Sequence, residues 1–237
     1  PDIRQGFPKN LIVYGHNLSS GLIFSHLNHF IGDPDYMANT GLRYMRGGPV
    51  ITIQSLTNTA YYKVFAVCVF SSEGIKYGQE PNYVRLSFSS SADFMNFVDQ
   101  LRARSVYTFG DVTVNENDSL LMLSTCSYPK KVGFEDSRLV VVARKVRDGE
   151  SNHVDTSKTV YNKNVIMPPI WYTSNKLPLH PYYTKGSTSP IITTRPAAPT
   201  GSGCGTGSGA RWRRSAHASR QARPPPTARP PPRRSGG

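Results

Sequence analysis

The run Arg138-Leu-Val-Val-Val-Ala-Arg-Lys-Val146 is the tightest constraint in the chain. Its centre is apolar without a break and rich in β-branched residues. That pattern favours a strand covered on both faces. Two other stretches behave alike: Tyr61-Tyr-Lys-Val-Phe-Ala-Val-Cys-Val-Phe70 and Leu120-Leu-Met-Leu-Ser-Thr125. Further strand material lies at residues 11–14, 50–56, 82–88 and 111–114. Thr57-Asn58-Thr59 reads as a hairpin turn between two of these runs. Strands in this number point to a mainly β fold, with a closed or nearly closed β-barrel as the natural architecture.

One helix interrupts the strands. In residues 90–104, Phe94, Phe97, Val98 and Leu101 make one apolar stripe at helical spacing. Ser90 with Asp93 resembles a capping box, which satisfies the first orphan N–H groups. A shorter helix is expected over residues 19–30, where Ile23, Leu27 and Phe30 share a face. Asp33-Pro34 breaks the chain, and residues 35–37 are expected to add one further turn.

The charge of +13 over 237 residues is misleading as a guide to partners. Residues 185–237 hold Lys185 and nine Arg with no acidic residue, so residues 1–184 carry only +3. A compact nucleic-acid-binding domain is therefore not required. Arg, Pro and Gly make 26 of those last 53 residues, and such a segment buries too little apolar surface to order itself. The expected organisation is a globular body at 1–148, a weakly structured extension at 149–184 and a disordered Arg/Pro/Gly-rich tail at 185–237. In the extension, the two prolines of Val165-Ile-Met-Pro-Pro-Ile-Trp-Tyr172 argue against a central strand and against a helix. No apolar run approaches the ~18–20 residues that cross a bilayer. The chain starts at Pro1 without a leader, so it is expected to be a fragment or a processed form.

Three cysteines suggest no disulfide framework. Cys68 sits mid-strand, sharing a face with Val64, Ala66 and Phe70, and reads as an inert buried thiol. Cys204 lies in a Gly-rich stretch with nothing nearby to activate it. Cys126 ends an apolar strand and opens into Ser127-Tyr-Pro-Lys-Lys131, where cations favour the thiolate. Taken alone, it reads more readily as a thiol at the edge of the core than as a nucleophile. His16 follows Gly15 at another strand tip, and Arg138 opens the last body strand. A nucleophile, a base and a cation at strand ends can converge on one mouth of a barrel. His26 and His29 are expected to face solvent, and the spacing of Cys and His offers no zinc pattern.

Three segments carry a family resemblance: Tyr14-Gly15-His16-Asn17, Leu123-Ser124-Thr125-Cys126 and Arg138-Leu-Val-Val-Val-Ala143. In order and spacing they resemble the signature segments of sortases, the cysteine transpeptidases with which Gram-positive bacteria attach proteins to the cell wall or polymerise pilins. The helix at 90–104 and the stretch Asn82-Tyr-Val-Arg-Leu-Ser-Phe88 are similar to class B members. The resemblance covers residues 7–147. It implies Cys126 as nucleophile, His16 as proton-transfer partner and Arg138 as oxyanion or substrate-positioning group. It also implies that Tyr83, Val84, Ser124 and Thr125 line the groove for the sorting peptide.

The implied partners are surface proteins with an Asn-Pro-x-Thr-x type sorting signal and an amine from a cell-wall precursor or a pilin. No cofactor, metal or specific nucleic acid is implied. The implied location is the outer face of a Gram-positive membrane, held by an N-terminal anchor outside this chain. The family carries two or three barrel strands ahead of the Tyr-Gly-His segment, where this chain has only residues 1–10, so a barrel short of its first strands is expected. Residues 149–237 match nothing in the family. Their abrupt change of composition suggests a reading-frame change or a vector-derived extension. Competing readings are a hydrolytic cysteine protease, an inactive fragment, or a binder of anionic polymers through Arg211-Trp-Arg-Arg214 and Arg233-Arg234.

Overall fold

The structure, a computed structural model, describes residues 8–32, 39–56, 58–76, 78–127 and 136–184. The expected disordered tail at 185–237, the turn at 35–37 and the loop after Ser127 with its two lysines lie outside the described residues, as does Cys204.

The described residues form seven strands: β1 (Asn10–Gly15), β2 (Val50–Gln54), β3 (Thr59–Ser71), β4 (Tyr107–Phe109), β5 (Leu120–Ser127), β6 (Ser137–Lys145) and β7 (Thr159–Tyr161). Five of them form one sheet in the order β1-β5-β6-β3-β2, curled as a half-barrel, and β4 pairs with β7 separately. β1 runs parallel to β5, and the other neighbours are antiparallel. The fold is thus mainly β as expected, but among the described residues the sheet has two edges, β1 and β2, and does not close. β6 is central and buried along all but its ends, which is what its apolar run demands.

Each face of the sheet buries its own core. On one face, Phe94, Phe97, Val98 and Leu101 of the helix Ser91–Arg104 pack on Cys68, Phe70, Met122, Val140 and Val142. Each of these four helix residues is at most 2% exposed, a burial worth about 1.5–3 kcal/mol per side chain. Ser90 is the N-cap, its side chain accepting from the Asp93 N–H at 3.1 Å. The Asp93 carboxylate turns instead to the Ser89 N–H and to Arg85, so only half of the capping box forms. The other face buries Leu121, Leu123, Leu139 and Val141 under Leu27, Phe30 and Ile31.

Several local expectations are corrected. The helix expected over 19–30 shrinks to a 3-10 helix, Ser25–Ile31, because Gly21 and Ile23 adopt positive φ (78° and 60°) and form a loop first. A β-bulge between Val64 and Ala66 shifts the period, so Val64 joins the core opposite to Ala66, Cys68 and Phe70. Residues 111–114 form no strand; the Thr113 carbonyl accepts from Arg144 Nε at 2.8 Å instead. The helix Asn39–Gly47 has no counterpart in the expectations.

Residues 149–184 differ from the weakly structured extension expected of them. They contain β7 and two short helices, Pro169–Ser174 and Pro181–Thr184. Pro169 stands at the start of its helix, where a missing N–H costs nothing, so the proline argument did not apply. Glu150 binds Arg144 Nη2 (2.8 Å) and Lys63 Nζ (2.7 Å), and these contacts hold its carboxyl well below the usual range. Those ion pairs tie the segment to β6 and β3.

Candidate active site

Gly15 ends β1 because the chain folds back tightly there. A Cβ at that position would lie 2.4 Å from the Phe24 ring. Phe24 in turn donates its N–H to the His16 carbonyl at 3.0 Å, closing the loop on which exposed His16 stands. In the parallel register Gly15 is the partner of Thr125, and His16 is the first residue past that last pair.

Cys126 and Arg138 are direct register partners on β5 and β6, and Arg138 is also the partner of Phe70 on β3. Partners across an antiparallel pair project to the same face. That face is the one covered by the long helix. Arg138 has a side chain 16% exposed, and its Nη1 lies 3.2 Å from Asp136 Oδ1. Cys126 is half-buried.

Ser124, two residues before Cys126, shares its face and is 1% exposed. Its hydroxyl and the Tyr83 hydroxyl share a hydrogen bond at 2.9 Å, and the Tyr83 ring packs on Phe70 with centroids 4.9 Å apart. Burial pushes the Tyr83 phenol above its ordinary value, against the Ser124 hydrogen bond and the Arg138 charge. The segment carrying Tyr83 and half-buried Val84 is thereby held beside the Cys126 row. Thr125 is different. It is 2% exposed, and strand alternation turns it to the opposite face, so its side chain is not brought together with Cys126.

Cys68 is free, fully buried, and donates to the Leu101 carbonyl at 3.3 Å. Burial pushes its thiol well up, which fits an inert role. His26 and His29 are exposed. Among the described residues no group of three His, Cys, Asp or Glu is placed to hold a metal ion, and no helix is long and apolar enough to cross a membrane.

Two features near the site had no sequence signal. Glu80 is 5% exposed and accepts from the Ser71 N–H at 2.8 Å, at the end of β3. Asn28, Ser127 and Ser137 form a buried polar array behind the strand ends. Each residue by itself is an ordinary polar one, and Asn28 lies 99 positions from Ser127.

Comparisons with known proteins agree on one group. A family model described as a Sortase domain matches residues 3–146. Sortase B of Listeria monocytogenes is 29% identical over 138 residues, which is 58% of this chain and 48% of that protein. Sortase B of Staphylococcus aureus is 26% identical over 138 residues, 58% of this chain and 49% of that protein. The chain thus spans about half the length of the curated relatives it matches. Among solved structures, sortase B of Clostridium perfringens superposes with a TM-score of 0.49 at 21% identity, over 60% of this chain and 68% of that one.

Proposed function

Since the chain belongs to the sortase family, by the match of residues 3–146 to the family's domain, we propose that it is a class B-like cysteine transpeptidase with Cys126 as nucleophile. One observation carries the reading: Cys126 and Arg138 are register partners at the sheet end to which β1 brings His16. The reading is supported by finding the three side-chain types that acyl transfer needs at or just past the ends of three adjacent strands.

The reduced Cys126 thiolate attacks the Thr carbonyl carbon of an Asn-Pro-x-Thr-x type sorting peptide. The Arg138 guanidinium and a backbone N–H near Cys126 stabilise the oxyanion where the charge develops. As the C–N bond breaks, His16 gives its proton to the leaving amine. A thioester links Cys126 to the peptide. The incoming amine, from a cell-wall precursor or a pilin, attacks that thioester and passes its proton to His16, and the thiolate leaves. Tyr83, Val84 and Ser124 form the wall against which the peptide lies. Thr125 contributes through its backbone and strand pairing, since its side chain faces away. The reaction belongs on the outer face of a Gram-positive membrane.

Product analysis tests this reading. The reduced chain is incubated with a sorting peptide, with and without a short peptide amine. The expected product with amine is the new amide, cleaved after Thr. Free acid as the sole product at every amine concentration would overturn transpeptidation in favour of hydrolysis.

A further inference from the structure

Behind the Cys126 row, on the opposite face of the sheet, three buried polar side chains are joined. Ser127 donates its hydroxyl to Asn28 Oδ1 at 2.9 Å. Ser137 donates its hydroxyl to the Ser127 carbonyl in a short hydrogen bond. Ser127 and Ser137 are register partners and fully buried, and Asn28 is 2% exposed. Asn28 Nδ2 finds no partner among the described residues.

The position of this array distinguishes it from ordinary core polarity. Ser127 directly follows Cys126, and Ser137 directly precedes Arg138. Asn28 stands in the 3-10 helix Ser25–Ile31, whose N-cap is Phe24, the residue that closes the His16 loop. The three hydrogen-bonded residues therefore connect the backbones that carry His16, Cys126 and Arg138. All three are neutral, so the connection holds geometry and transfers no proton.

We propose that Asn28 is a positioning residue for the reaction of Cys126, acting through Ser127 and Ser137 to hold the ends of β5 and β6 in register with the His16 loop. This rests on the reading of Cys126 as nucleophile. A hydrogen bond between desolvated groups is costly to break, because the partner left behind stays unsatisfied. Loss of Asn28 releases the strand ends from behind. Small misplacements of reacting groups lower turnover strongly, whereas the groove on the other face, which binds the peptide, is left intact.

The test is a double-mutant cycle on the full, reduced chain with a sorting peptide and an amine, with turnover normalised to the folded fraction. Asn28→Ala and Ser127→Ala are each expected to lower kcat at least tenfold with KM within twofold. The double variant is expected to be no slower than the slower single, because both remove one connection. If Asn28→Ala does not fold, the kcat-against-KM split of Ser127→Ala decides by itself. A merely structural role moves the melting temperature and leaves kcat of the folded protein unchanged, and that result overturns the proposal. Cys126→Ala is run in parallel. Inactivity there with wild-type kcat in Asn28→Ala overturns the positioning role alone. Activity in Cys126→Ala, or a wild-type chain that turns over no peptide, overturns the parent reading and the positioning role with it.

Discussion

Cys126 and Arg138 face each other directly across β5 and β6, on the sheet face that the long helix covers. A cation opposite a cysteine favours the thiolate. In the proposed reaction the same cation donates to the oxyanion formed at that sulfur's target. Asp136, 3.2 Å from the guanidinium, holds the Arg138 side chain at the strand end.

From this arrangement Arg138→Lys is expected to lower kcat by about a hundredfold while leaving the fold intact. A lysine keeps the charge but loses the planar fork of donors, and the loss of one oxyanion donor costs a factor of that order. Steady-state kinetics alongside circular dichroism checks it. Turnover within threefold of wild type would remove Arg138 from the reaction.

Glu80 gives the fold a pH dependence of its own. Burial raises its carboxyl from 4.5 to about 7, against the Ser71 N–H and the Arg104 charge. Between those values the folded protein keeps a proton that the unfolded chain has released, so stability falls as pH rises through the window. The full loss, of order 3 kcal/mol, is present above about pH 7. Glu80→Gln preserves an acceptor for Ser71 and removes the charge. Its melting temperature is expected to match wild type near pH 4.5 and to exceed it above pH 7, as thermal melts across that range will show. Parallel curves for the two proteins would contradict the assignment.

The strands and the long helix were legible because their signals are local. The apolar run of β6 and the stripe from Phe94 to Leu101 each repeat at the period of the element they form. The strand-end positions of His16, Cys126 and Arg138 followed from where those runs stop. What could not be read depends on distant partners or on backbone geometry. The bulge that turns Val64 away from Cys68 adds one residue to a strand without changing its composition. The positive φ of Ile23 shortens a helix whose spacing looked sound. The placing of residues 149–184 rests on single residues such as Glu150, whose partners Arg144 and Lys63 are six and 87 positions away. Thr125 was grouped with Ser124 by motif, yet alternation along β5 separates their side chains.

The central claim is that the acyl group is carried on Cys126. Intact-mass spectrometry of the reduced chain, incubated with a sorting peptide and no amine, measures this directly. The expected result is an adduct of the peptide cleaved after Thr, labile to hydroxylamine and mapped to Cys126. The same adduct is expected in Cys68→Ala and absent from Cys126→Ala. An adduct that persists in Cys126→Ala, or that disappears in folded Cys68→Ala, would contradict the account.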